Sequence, residues 1–86
     1  MSAPVELNSA DFWPEGAGDD DEAYLANWFV RPGSPVRKGA ALCEIQVLKA
    51  TLDVEAPLSG TLEEILVEEG GTFRKGTALA RLLPGD

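Results

Sequence analysis

Eighty-six residues, 44% of them hydrophobic and 26% charged, make one globular domain with a modest core. Fifteen acids against seven bases leave a net charge of −8, which argues against nucleic acid and anionic membrane surfaces as partners. With no histidine and one cysteine, neither a structural zinc site nor a Ser-His-Asp or Cys-His pairing can be built, and no internal disulfide can form.

Taken from its first residue, the chain opens with no basic-then-apolar leader and contains no apolar run long enough to span a bilayer. The expectation is a cytoplasmic, monomeric domain over 1–86, with a core over about 3–83. Val5-Glu6-Leu7 forms a first short strand. An irregular stretch over about 11–23 then ends in Asp19, Asp20, Asp21 and Glu22. Proline, glycine and like charges mark it as a surface loop, with Phe12 and Trp13 as its anchor to the core. The acidic run reads either as a solvated loop or as a recognition surface.

From Leu25 the chain repeats itself. Leu25–Leu42 and Leu62–Leu79 align without a gap at Leu, Val, Gly, Arg, Lys, Gly, Ala and Leu. Each copy reads as strand, Val-x-x-Gly turn, apolar plug, Arg-Lys-Gly turn, strand. Two copies are too few for a solenoid and point to two similar β-halves packed face to face about a pseudo-twofold. Short strands with glycine and proline turns give an all-β fold, a flattened barrel or sandwich. Val30, Val36, Leu42, Ile45, Val54, Ile65, Val67, Phe73 and Leu79 are the expected core, with Trp28 covering one side.

Between the copies, Cys43, Ile45 and Val47 alternate with Glu44 and Gln46, and Ala50, Leu52, Val54 and Ala56 with Thr51, Asp53 and Glu55. These are two strands, each with one dry face. Leu48 and Lys49 separate them, which predicts a tight hairpin with Lys49 at its tip. Leu-Lys suits a type I turn better than the mirror-image turns that ask for glycine or asparagine. Cys43 is expected as a small buried hydrophobe. A lysine at a hairpin tip is either a solvated side chain or an amine presented to another protein.

The pattern Val-x-x-Gly-x-x-Val-x-x-Gly-x-x-Leu from Val30, followed by Glu-Ile-x-x-x-Lys-Ala-Thr-x-x-Val-x-Ala-Pro-x-x-Gly from Glu44, resembles the biotinyl/lipoyl carrier domain family. The likeness runs from about Leu25 to Leu82 and is greatest to the lipoyl domains of 2-oxo acid dehydrogenase complexes. It implies two four-stranded antiparallel sheets. It also implies a non-catalytic carrier whose lipoate is joined through an amide to the lysine matching Lys49, flanked by Val47, Leu48 and Ala50. Ala50 resembles the lipoyl type. Leu48 replaces the lipoyl aspartate and is closer in character to the biotinyl methionine, and Gln46 replaces a glutamate common to both. Biotin at Lys49, or an unmodified interaction module, are therefore the alternatives. The implied partners are a lipoate ligase or lipoyl transferase, and decarboxylase, acyltransferase and dihydrolipoyl dehydrogenase components. By the same resemblance, Gln46 and the acids Asp19 to Glu22 would serve partner recognition.

Overall fold

The computed structural model describes residues 3–85. Eight strands follow in chain order: β1 Val5–Asn8, β2 Ala23–Trp28, β3 Pro35–Val36, β4 Ala41–Val47, β5 Ala50–Glu55, β6 Gly60–Ile65, β7 Thr72–Phe73 and β8 Ala78–Pro84. Among the described residues the helical structure is one 3-10 turn, Ser9–Asp11, started by Asn8, whose side chain accepts from the Ala10 N–H at 2.9 Å.

The strands form two antiparallel four-stranded sheets, β1-β8-β6-β3 and β5-β4-β2-β7. Among the described residues no strand pairing joins the sheets to one another, so the architecture is the flattened sandwich and not a closed barrel. Each sheet takes its short edge strand from the other half of the chain: β3 pairs with β6, and β7 with β2.

The repeat is carried into three dimensions residue by residue. β2, β3 and β4 have the same lengths and spacings as β6, β7 and β8. The irregularity in the β2–β4 pairing at Ala26 recurs in the β6–β8 pairing at Glu63. The cross-links between halves are reciprocal. The Gly33 N–H donates to the Leu62 carbonyl at 2.7 Å, and the Gly70 N–H to the Leu25 carbonyl at 2.8 Å. Both glycines sit at positive φ (92° and 86°), a conformation that costs a Cβ-bearing residue and that glycine adopts freely.

Between the sheets lie the inward residues of each strand. Leu25, Leu42, Ile45, Leu62, Leu79 and Leu82 are fully buried, and burial of such side chains is the main term holding a domain of this size together. Val36, Val54 and Phe73 are buried as expected. Val30, Ile65 and Val67 are only half-buried, packed against the core. They lie at or just past the ends of β2 and β6, where the facing sheet covers one side of them. Trp28 is half-buried too, and its ring N–H donates to the Val67 carbonyl at 2.8 Å. Ser9 is a buried polar side chain; its hydroxyl donates to the Arg74 carbonyl at 3.0 Å.

Candidate functional site

β4 is flanked in its sheet by β5 and β2, so the β4–β5 hairpin rests on a ladder paired on both sides. Val47 and Ala50 are the closing pair, and Leu48 and Lys49 form the turn. Val47 is fully buried, which fixes the base of the turn. Leu48 is 63% exposed, and Lys49 and Ala50 are exposed as well. Among the described residues Lys49 makes no ion pair; the pairs there join Lys75 to Asp19 and Arg81 to Glu64.

The turn differs from the type I expectation. A type I turn has negative φ at both central residues, yet Leu48 has φ 57° and is the one non-glycine residue with positive φ among those described. Positive φ at the first central residue alone is the pattern of the mirror-image type II′ turn. Strand twist explains the outcome, because mirror-image turns match the right-handed twist of the flanking strands and type I turns splay them. The local preference of leucine yields to the register of a buried hairpin, at a cost of roughly 1–2 kcal/mol for a left-handed L-residue.

Around the tip, Gln46 is exposed and opposes Tyr24 on β2 and Thr51 on β5. Tyr24, 43% exposed, was absent from the sequence-based site. The signal was there in the alternation of β2, which sends Ala23 and Leu25 inward and Tyr24 out.

The acidic loop reaches the same neighbourhood. Glu22 immediately precedes Ala23, whose partner across the ladder is Val47. Phe12 and Trp13 pack against the core as expected. The Trp13 ring meets Phe73 edge-on, with centroids 6.3 Å apart at 67°, and its N–H donates to the Gly18 carbonyl at 3.1 Å. The four acids are not equivalent. Asp21 is half-buried and accepts from the Gly18 N–H at 2.6 Å, holding the loop's own turn. Asp19 lies 3.3 Å from Lys75. Asp20 and Glu22 are exposed.

Cys43 is fully buried on β4. Burial, with a smaller contribution from the Asp53 carboxylate, pushes its thiol up to about 12, so it is an inert core residue and not a nucleophile. Among the described residues no cluster of three or more His, Cys, Asp or Glu could hold a metal, and no helix is long and apolar enough to cross a membrane. A groove of about 790 Å³ lies over Trp28, Val30 and Ile65, at the end of β2 away from the Ala23–Val47 pair. What stands at Lys49 is an exposed amine, without an ion-pair partner among the described residues, on a two-residue turn, with no cavity needed to present it.

The Biotin_lipoyl family model, described as "Biotin-requiring enzyme", matches residues 14–82. The chain belongs to the biotin/lipoyl family. Among curated relatives of this biotin/lipoyl domain, the dihydrolipoyllysine-residue acetyltransferase component of the pyruvate dehydrogenase complex of Staphylococcus aureus is 33% identical over 61 residues. The Staphylococcus epidermidis protein of the same name is 31% identical over the same length. The match takes in 71% of this chain and 14% of the S. aureus relative, so the chain spans a small part of the proteins it resembles. The solved lipoyl domain of the 2-oxoglutarate dehydrogenase complex from Azotobacter vinelandii superposes with a TM-score of 0.71 at 25% identity, covering 96% of this chain and 98% of that one. A single-chain, multi-domain long-chain acyl-CoA carboxylase shares the fold, with a TM-score of 0.69 at 15% identity over 100% of this chain and 7% of its own. The biotin/lipoyl domain is thus a carrier-type domain similar to the lipoyl domains of 2-oxo acid dehydrogenase complexes.

Proposed function

We propose that this domain is a lipoyl carrier, modified on Lys49, that serves a 2-oxo acid dehydrogenase-type complex. The observation that carries the reading is the exposed Lys49 amine, without an ion-pair partner among the described residues, at the two-residue turn between the paired strands β4 and β5. An amide-linked group needs only such an amine, and the residues at the tip leave it free. In its neutral form Nζ attacks the activated carboxyl carbon of lipoate. The C–N bond forms, the activating group leaves with its electron pair, and the amine loses one proton. Once attached, the group supplies the dithiolane that takes up and releases an acyl group and a pair of electrons.

The chain's own contribution is presentation. The buried Val47 and the ladders on both sides of β4 hold the tip still, so that reach comes from the lysine stem and not from backbone motion. Lipoate is favoured over biotin by the Lys49-Ala50 pair and by the names of the acetyltransferase relatives and of the Azotobacter domain. Partners under this reading are a lipoate ligase or lipoyl transferase, then the decarboxylase, acyltransferase and dihydrolipoyl dehydrogenase of the complex, all met in the cytoplasm. Gln46 and the exposed acids Asp20 and Glu22, which lie towards the tip, would be met first. The domain itself catalyses nothing in this scheme.

Biotin is the second reading, favoured by the apolar Leu48 before the lysine. The test is intact mass after incubation with lipoate, ATP and a lipoate ligase, beside a parallel incubation with biotin and a biotin ligase. One lipoyl group is expected on the wild type and none on Lys49→Arg, which keeps charge and fold. Biotinylation without lipoylation would hand the site to the second reading.

A further inference from the structure

The groove over Trp28, Val30 and Ile65 is lined from both copies of the repeat. Because Leu25 aligns with Leu62, its two sides can be compared position by position. The second copy contributes Glu63, Glu64, Glu68 and Glu69. At the equivalent positions the first copy has Ala26, Asn27, Arg31 and Pro32. The first copy makes the same strand end and the same glycine corner without a single carboxylate, so the fold does not require four of them here.

Two of the four have a role within the domain. Glu69 accepts from the Trp28 backbone N–H at 2.9 Å, and Glu64 pairs with Arg81. Glu63 and Glu68 are exposed and, among the described residues, make neither a side-chain hydrogen bond nor an ion pair. The lining holds one cation, Arg31, which leaves an excess of three negative charges. A cleft of one sign with apolar walls focuses its field and concentrates cations. Trp28, Val30 and Ile65 are only half-buried, so apolar surface rimmed by charge is open to whatever enters, the usual mark of an interaction surface.

We propose that this groove docks a basic segment of a partner protein, with lysine or arginine interspersed among apolar residues, and leaves the Lys49 tip free. Such a segment suits both parts of the groove. The stems of lysine and arginine lie along apolar surface while their charged heads reach carboxylates. A volume of about 790 Å³ takes several side chains, more than one small cation fills. A second copy of this chain is the wrong occupant, because its net charge of −8 would bring acids to acids. The groove stands at the Trp28 end of β2, whereas Ala23 at the other end pairs with Val47 beside the lysine hairpin. The strand between them, Ala23–Trp28, spans roughly 16 Å at about 3.3 Å per residue. A partner held in the groove therefore grips the domain without covering the amine. The inference is independent of what Lys49 carries.

The two tryptophans of the chain report separately on its two acidic regions. Trp28 lines the groove, and Trp13 donates its ring N–H to Gly18 beside the Asp19–Glu22 run. The isotope-labelled domain is titrated under nuclear magnetic resonance with a short peptide of alternating arginine and valine, an equally charged peptide of arginine and glycine, and spermine. The arginine–valine peptide should shift the Trp28 indole signal and the backbone signals of residues 63–69 saturably. The Trp13 indole and the signals of Leu48–Ala50 should stay in place. The arginine–glycine peptide should bind about tenfold more weakly, having lost the apolar contact. Glu63→Gln with Glu68→Gln should weaken the arginine–valine peptide by about threefold to tenfold at low ionic strength. Their thermal midpoint should match wild type, since neither carboxylate has a partner to lose. Equal shifts at Trp13 and Trp28 would reduce the binding to overall charge and overturn the groove, as would the absence of a saturable shift at Trp28. Spermine binding as tightly as the arginine–valine peptide would overturn it in favour of a small cation. The same shifts on concentrating the domain alone would give the groove to a second copy. Shifts at Leu48–Ala50 as large as those at Trp28 would overturn the free tip.

Discussion

The two copies of the repeat have the same strands, the same irregularities and reciprocal hydrogen bonds, yet they are used differently. At the plug position the first copy carries Val36 and the second Phe73, both buried. The larger ring meets Trp13 and so ties the acidic loop to the sheet that holds Lys49. In front of the first copy stand Asp19 to Glu22; in front of the second stand Pro57, Leu58 and Ser59, which carry no charge. A fold made twice is thereby made asymmetric by a few substitutions, and the asymmetry gathers at the end of the sheet where Lys49 is presented.

The comparison breaks most visibly at the plugs. Phe73→Ala should cost about 3–5 kcal/mol, since it removes a large buried ring and leaves a cavity. Val36→Ala removes two methyl groups, roughly 1.5–2 kcal/mol at about 0.8 kcal/mol per buried group. Chemical denaturation gives both values. Limited proteolysis separates the roles, because only Phe73→Ala should speed cleavage within residues 12–22, where Trp13 loses its partner. Equal costs with no change in cleavage would mean that the loop is held by something other than Phe73.

Most of the sandwich was legible in the chain. The ungapped copies pointed to two like β-halves with the same order of strands and glycine turns, and alternation marked the inward residues. Val30, Ile65 and Val67 were harder. Alternation tells which face a side chain takes, whereas burial at a strand end depends on how far the opposite sheet extends. The conformation of Leu48 was not legible at all, since a residue's own preference loses to the twist of the two strands it joins. Asp21 was concealed within a run of like charges: only the folded loop shows that its carboxylate holds the Gly18 N–H and that Asp19 pairs with Lys75, while Asp20 and Glu22 stay exposed.

A finer difference between the copies lies on β4 and β8. Cys43 and Ala80 occupy equivalent positions and both are fully buried. The Cys43 thiol, with an ordinary value of 9.0, is raised to about 12, first by burial and then by Asp53. Between those values the unfolded chain has lost the proton and the folded chain keeps it. The folded state then binds more protons, so stability falls as pH rises. The thiol's contribution is thus complete below about pH 9 and is lost on the way to about 12. Cys43→Ala, which makes the first copy like the second, should flatten that part of the alkaline decline in denaturation midpoints taken from pH 8 to 11. An unchanged slope would place its origin in other groups.

The smallest expected effect concerns the acids in front of the first copy, proposed above to meet a partner. Neutralising all four would confuse two roles, because Asp21 holds the Gly18 N–H and Asp19 pairs with Lys75. The cleaner change is Asp20→Asn with Glu22→Gln, which leaves both contacts in place. Exposed charges of this kind have weak pairwise energies, but their summed field can raise the rate at which a basic rim captures the domain. With lipoylated protein and the decarboxylase of its complex, kcat/KM for reductive acylation should fall by about twofold to fivefold at low ionic strength. The deficit should close as salt is raised, since the screening length shrinks from about 30 Å at 0.01 M to about 3 Å at 1 M. A deficit that persists at high salt would instead signal direct contact by Asp20 or Glu22. Identical rates at every ionic strength would leave the run as a solvated loop, and the asymmetry between the copies would then rest on Phe73, Cys43 and the lysine hairpin.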